Sequence, residues 1–122
     1  MVRVYAAEDS PVQALYLRRI LERDKELEIT FFEDGLELYL EAFKNPPDLF
    51  ILDIILPTLS GVALLRLLKY DSELKKVPII ICSSVTESDL EDRLRKMRVD
   101  DYVPKPFKPD DLLKRIRMAL EE

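Results

Sequence analysis

The stretch LFILDIIL (49–56) constrains the fold of this chain more than any other. It is almost wholly apolar, yet it carries one aspartate, Asp53. So short and apolar a run reads as a strand covered on both faces, as in a parallel sheet between helix layers. Around this strand, placed at 48–54, short β-branched runs at roughly 2–8, 28–33, 77–83 and 100–104 alternate with segments of helical period. The helical segments lie near 10–24, 35–44, 60–71, 87–98 and 109–121. Strict alternation of five strands and five helices predicts a doubly wound α/β fold.

Local signals support the elements. Ser10 followed by Pro11 reads as an N-cap with proline at the first helical position, where its missing N–H is not needed. Leu36, Tyr39, Leu40 and Phe43 share one face, the apolar stripe expected of a core-facing helix, as do Leu64, Leu65 and Leu68. Leu112, Leu113, Ile116 and Leu120 form the inward stripe of the last helix. Asp110 and Asp111 at its start suit the positive end of the helix dipole. Pro104 cannot donate to a ladder, so the fifth strand should be an edge. Order 2-1-3-4-5 meets these constraints, and right-handed crossovers then put the first and last helices on one face. With no linker, repeat or low-complexity tract, residues 1–122 are expected to form one domain.

Composition removes several kinds of chemistry. The chain has no histidine, which excludes His-based acid–base catalysis, a Ser-His-Asp triad and His-ligated zinc. Two glycines cannot build a phosphate-binding or dinucleotide loop. A net charge of −5 argues against non-specific nucleic-acid binding. The lone Cys82 cannot form an internal disulfide, and no apolar run approaches membrane-spanning length. The start, MVRVYAAEDS, does not resemble a signal peptide. A soluble, cytoplasmic protein is the expectation.

In doubly wound sheets ligands sit beyond the carboxyl ends of the strands, near the point where strand order reverses. The polar residues at those ends are Glu8 and Asp9, then Asp53, then Ser83 and Ser84, then Lys105. Singly, each has an ordinary reading. A strand-end aspartate caps the next turn, an acidic pair precedes a helix, a serine turns a loop, and a lysine is solvated. Tyr102 reads as a half-buried edge aromatic, Cys82 as core filling, and Arg93, Arg95, Lys96 and Arg98 as a solvated helix face. Together the strand-end groups bring three carboxylates, hydroxyls and an ammonium to one rim. Two carboxylates about 4 Å apart repel by roughly 4 kcal/mol at an effective dielectric near 20. A proton or a divalent cation must relieve this, and oxygen-only ligands favour Mg²⁺, with Mn²⁺ possible. Lys105 lies in PKPF (104–107), where flanking prolines restrict the backbone that aims it.

The stretches AAEDSPVQ, PDLFILDIILPTLSG, VPIIICSS and DDYVPKPF, in this order and spacing, resemble the CheY-like receiver domains of two-component response regulators. The resemblance covers essentially the whole chain. It implies that Asp53 is the phosphoacceptor and that Glu8, Asp9, Asp53 and the backbone carbonyl of Ile55 hold Mg²⁺. It makes Ser83 the hydroxyl that bonds the phosphoryl group, Lys105 the family lysine, and Ser83 with Tyr102 the switch pair. Lys105–Pro106 matches a peptide that is cis in relatives. The implied function is a phosphorylation-dependent switch fed by a partner histidine kinase or phosphotransfer protein, catalysing only its own phosphorylation and dephosphorylation. Its output would reach an unknown protein target through the face of strand 5 with helices 4 and 5. The chain would be a monomer, or a dimer on phosphorylation.

This sequence departs from the family pattern at several points. Glu8 replaces an aspartate, Ser83 a frequent threonine, and Arg98–Val99 a usual Gly-Ala pair. Ile55 and Val85 are apolar at positions that tune dephosphorylation. Two rival readings stand beside the switch. One is a docking scaffold that is never phosphorylated, which Mg²⁺ binding would discriminate. The other is an aspartate-phosphorylating phosphatase of the haloacid-dehalogenase type, which needs a second aspartate where Ile55 stands.

Overall fold

The two most buried strands are Leu49–Leu52 (β3) and Ile79–Ser83 (β4), in which every residue is buried. Either side lie Val2–Ala7 (β1), Leu27–Phe32 (β2) and Asp101–Pro104 (β5). All neighbouring pairs are parallel, in the order β2-β1-β3-β4-β5. The computed structural model describes residues 1–56, 59–84 and 88–121, with 88–91 described by backbone alone. Val85 therefore lies outside the described residues. As the proline requires, β5 is an edge, with Pro104 paired in register with Ser83.

The helices are Pro11–Leu21 (α1), Gly35–Lys44 (α2), Gly61–Tyr70 (α3), Ser88–Lys96 (α4) and Pro109–Leu120 (α5). Three begin at side-chain caps. Ser10 Oγ accepts from Gln13 N at 3.4 Å, Asp34 Oδ1 from Leu36 N at 2.7 Å, and Ser60 Oγ from Ala63 N at 3.2 Å. A 3₁₀ turn at Leu74–Lys76, not anticipated from the sequence, buries Leu74 on the way into β4.

Strand alternation divides the interior into two cores. Val4, Ala6, Ile51, Ile80 and Val103 face α1 and α5, meeting Leu17, Ile20, Leu112 and Ile116. Tyr5, Phe50, Leu52, Ile79 and Ile81 face the other way, toward Leu38, Leu64, Leu68 and Leu94. The first and last helices thus share one face of the sheet, as expected.

Helix α2 corrects the sequence reading. Its buried residues are Gly35, Leu38 and Ala42, whereas Leu36, Leu40 and Phe43 are exposed. The reason is steric. A Cβ on Gly35 would stand 3.0 Å from the Leu59 carbonyl oxygen, so the helix start approaches its neighbours closely, and Leu38 and Ala42 fill the rest of the buried face. In α5 the buried residues are Leu112, Ile116 and Ala119, with Leu113 and Leu120 partly buried against them. Arg98 occupies the left-handed region at φ 59° in the turn before β5, the conformation for which glycine is the usual residue. The helix-4 cations Arg93, Arg95 and Lys96 are exposed, as expected of a solvated face.

Candidate metal and phosphoryl site

Strand β1 ends into Glu8, which is only 5% exposed although it is ionisable. Its neighbour Asp9 is exposed and stands just before the α1 cap. Asp53 follows β3, and its Oδ1 accepts the N–H of Ile55 at 3.1 Å, which fixes the rotation of the carboxylate. Glu8, Asp9 and Asp53 each present a carboxylate oxygen within 4.8 Å of the others. These are hard oxygen donors in the number and spacing that suit a small divalent cation with water in its remaining positions.

Lys105 enters from the end of β5. Its backbone N–H donates to the Ser83 carbonyl at 2.9 Å, and the Lys105–Pro106 peptide is cis. Its ammonium donates to Glu8 Oε1 at 2.5 Å, to Gln13 Oε1 at 2.5 Å and to Asp53 Oδ2 at 3.0 Å, which uses all three N–H groups. The side chains are 12%, 5% and 12% exposed for Lys105, Glu8 and Asp53, so these are buried, charge-assisted contacts.

Burial is the largest influence on Glu8 and raises its pKa. The bond and charge of Lys105 and the Ser10 N–H pull the other way, but the net direction is up. Burial also works against the Lys105 ammonium. There the bonds to Glu8 and Asp53, with their charges, prevail and raise its pKa. The two directions agree physically: three carboxylates face one ammonium, so the site holds more negative charge than its cation neutralises.

Beside the carboxylates opens a cleft of about 370 Å³, walled by Leu17, Ile51, Cys82 and Phe107. Tyr16 closes its outer side, its ring 5.9 Å from that of Phe107 and its hydroxyl donating to the Phe107 carbonyl at 3.4 Å. Burial pushes the Cys82 thiol up to about 12, consistent with core filling. Ser84 lines the cleft, whereas Ser83 is wholly buried at the end of β4. Tyr102 is half-buried and packs against the α2/α3/α4 core. The Ile55 side chain is exposed.

Two supporting residues were not singled out in the sequence. Gln13 shares the Lys105 ammonium from the first turn of α1. It lies one turn beyond Asp9, a spacing that hints at the same face. Gly61 starts α3 against the site strand. Its N–H donates to the Ile54 carbonyl at 2.8 Å, and a Cβ there would stand 2.2 Å from the Asp53 carbonyl oxygen. Scarcity was its signal, since the chain has only two glycines.

A sequence model of the response regulator receiver domain matches residues 4–117. This chain belongs to that family. The receiver is 37% identical over 109 residues to a protein-glutamate methylesterase/protein-glutamine glutaminase of Leptospira interrogans, covering 87% of this chain and 30% of the relative. It is 32% identical over 118 residues to the DNA-binding response regulator MtrA of Mycolicibacterium smegmatis, covering 97% of this chain and 50% of that one. The receiver thus spans half or less of these curated relatives. The receiver domain of a Pseudomonas aeruginosa sensor histidine kinase, solved with magnesium coordinated in its active-site cleft, superposes with a TM-score of 0.89. The match covers 99% of this chain and 98% of that one at 23% identity, a likeness of fold. As a receiver, the chain is a module of two-component signalling. No helix among its described residues is long and apolar enough to cross a membrane.

Proposed function

We propose that this receiver, acting as one domain over residues 1–122, accepts a phosphoryl group on Asp53 and changes its output surface in response. The observation that carries the reading is the convergence of Glu8 and Asp9 on Asp53 within 4.8 Å, with Lys105 only 3.0 Å from the acceptor oxygen. Nothing in the composition supplies a histidine, so the donor must bring the activated phosphorus, as a phosphohistidine on a partner kinase or phosphotransfer protein does. A lone pair on a carboxylate oxygen of Asp53 forms the new bond to phosphorus. The P–N bond breaks, and its electron pair returns to the donor imidazole.

Glu8, Asp9 and Asp53, with the Ile55 carbonyl, are the residues that would hold Mg²⁺, Glu8 through its longer arm. When bound, the ion supplies positive charge to the transferring oxygens. Lys105 supplies a second positive charge at a fixed position, and Ile55 N–H keeps the Asp53 carboxylate in one orientation. Magnesium coordinated in the active-site cleft of the Pseudomonas receiver, which shares this fold, supports a metal at this end of the sheet.

The phosphoryl group adds roughly −2 charge and three acceptor oxygens. Ser83 lies buried one strand away and is drawn toward those oxygens, and Tyr102 follows into the space it leaves. The face of β5, α4 and α5 then reports the change to a downstream protein, as a population shift between two arrangements. The chemistry acts on the receiver alone, in the cytoplasm where its donor resides. Ile55 stands where a phosphatase of the aspartyl-phosphate type needs its second acid, which disfavours turnover of free substrates.

Incubation with acetyl phosphate and Mg²⁺, followed by intact mass, tests the assignment. Wild type gains one phosphoryl group and Asp53→Asn gains none. An unmodified wild type would leave a docking module, and an equal adduct on Asp53→Asn would place the acceptor elsewhere.

A further inference from the structure

The exposed stripe of α2 has a counterpart on α3. Leu36, Leu40 and Phe43 recur at i, i+4 and i+7 and are 42%, 53% and 66% exposed. On α3, which packs beside α2, Leu67 and Tyr70 are also exposed. Among the described residues, five of the eleven exposed large hydrophobics therefore lie on one pair of adjacent helices. Such a patch marks a contact surface more often than scattered single residues do.

Charge is arranged around the patch in a particular order. Gly35 of α2 faces Leu64 of α3. Turning about α2 at 3.6 residues per turn, the apolar stripe comes next, and Glu37 and Glu41 lie beyond it, away from α3. Turning about α3 from Leu64, Leu67 and Tyr70 come first, and Arg66 and Lys69 lie beyond them, away from α2. Across the pair the surface runs acidic, apolar, basic. Both helices follow strands of one parallel sheet and so run in the same direction. The Gly35–Leu64 contact sets their level: Glu37 lies level with Arg66, Glu41 with Lys69, and Lys44 with the Asp71–Glu73 turn.

We propose that this face joins two copies of the chain about a twofold axis running along the α2/α3 groove. That axis exchanges the two flanks, so Glu37 and Glu41 of each copy meet Arg66 and Lys69 of the other while the apolar stripes pack at the centre. An axis across the groove would instead stack acid on acid and base on base, which costs association. Two flanks of opposite sign at matched levels are what a second copy needs, and an unrelated partner would need no such symmetry. The surface is separate from the β5/α4/α5 face and from Asp53.

Sedimentation equilibrium of the full chain up to about 100 µM tests this. A reversible dimer is expected. Glu37→Arg or Arg66→Glu alone should weaken it about tenfold, and the two together should restore it to within about threefold. Both substitutions are at exposed helix positions, and circular dichroism confirms the fold of each of the three variants. A monomer throughout would overturn the proposal. So would a dimer indifferent to either reversal, as from another face, or single losses that the double variant does not repair.

Discussion

The two ends of the sheet each hold a cation between carboxylates, and burial makes them different objects. At the carboxyl end, Lys105 bridges Glu8 and Asp53 with all three side chains nearly shielded from water. At the opposite end, Arg117 contacts Asp24 and Glu26; Asp24 is 15% exposed, but the Arg117 cation and Glu26 are 44% and 71% exposed. Water screens the second cluster, and such pairs contribute little. In the first, each charge depends on the others, because removing one leaves the rest desolvated. A list of ion pairs would rank the two ends alike, and solvent access separates them.

The strongest attempt to break this contrast is Lys105→Met. It leaves Glu8 and Asp53 facing each other without a cation and should cost about 3 kcal/mol in urea unfolding at neutral pH. Loss of the ammonium lets the already raised Glu8 pKa rise further. A carboxyl with a folded pKa above its unfolded value binds a proton more tightly when folded, so stability recovers as pH falls through that folded value. The deficit should therefore shrink on acidification. A deficit that grows would show that Glu8 is not the strained group.

Gly61→Ala probes the backbone beneath the site. A Cβ placed 2.2 Å from the Asp53 carbonyl oxygen forces α3 and β3 apart, costing about 2 kcal/mol and slowing phosphoryl uptake from acetyl phosphate. Unchanged uptake with reduced stability would mean that Asp53 keeps its position while α3 moves. Arg98→Gly acts on the loop entering β5 and should stabilise by about 1 kcal/mol in the same assay, because glycine accepts the left-handed backbone without strain. Uptake at Asp53 should not change. Arg117→Met, the counterpart of the lysine substitution, should leave the urea midpoint where it was. A shift comparable to that of Lys105→Met would abolish the distinction between the ends.

The sequence conveyed the sheet because burial on both faces leaves a plain mark: LFIL and IIIC have no polar interruption, and Pro104 announces an edge. It conveyed the site because a doubly wound order brings strand ends together, so Glu8, Asp9, Asp53 and Lys105 could be grouped before any coordinate. Helix α2 was misread because apolar size was taken as the mark of burial. Where the helix lies against its neighbours, the residues that fit are Gly35, Leu38 and Ala42, while Leu36, Leu40 and Phe43 turn outward. Gln13 escaped notice since its partner is 92 positions away, and nothing short of the folded chain sets a glutamine beside that ammonium.

The partition of the interior has a consequence for how this domain can vary. Ser83 and Cys82 are adjacent in one strand yet belong to opposite sides of the sheet, so neighbouring letters of the sequence address separate compartments. Substitutions in the compartment beneath the first and last helices can be absorbed there while the other side keeps its packing. A lineage, or a designer, can thus repack the side beneath the first and last helices and the side beneath the second and third largely apart, the two meeting where α3 reaches Asp53 through Gly61.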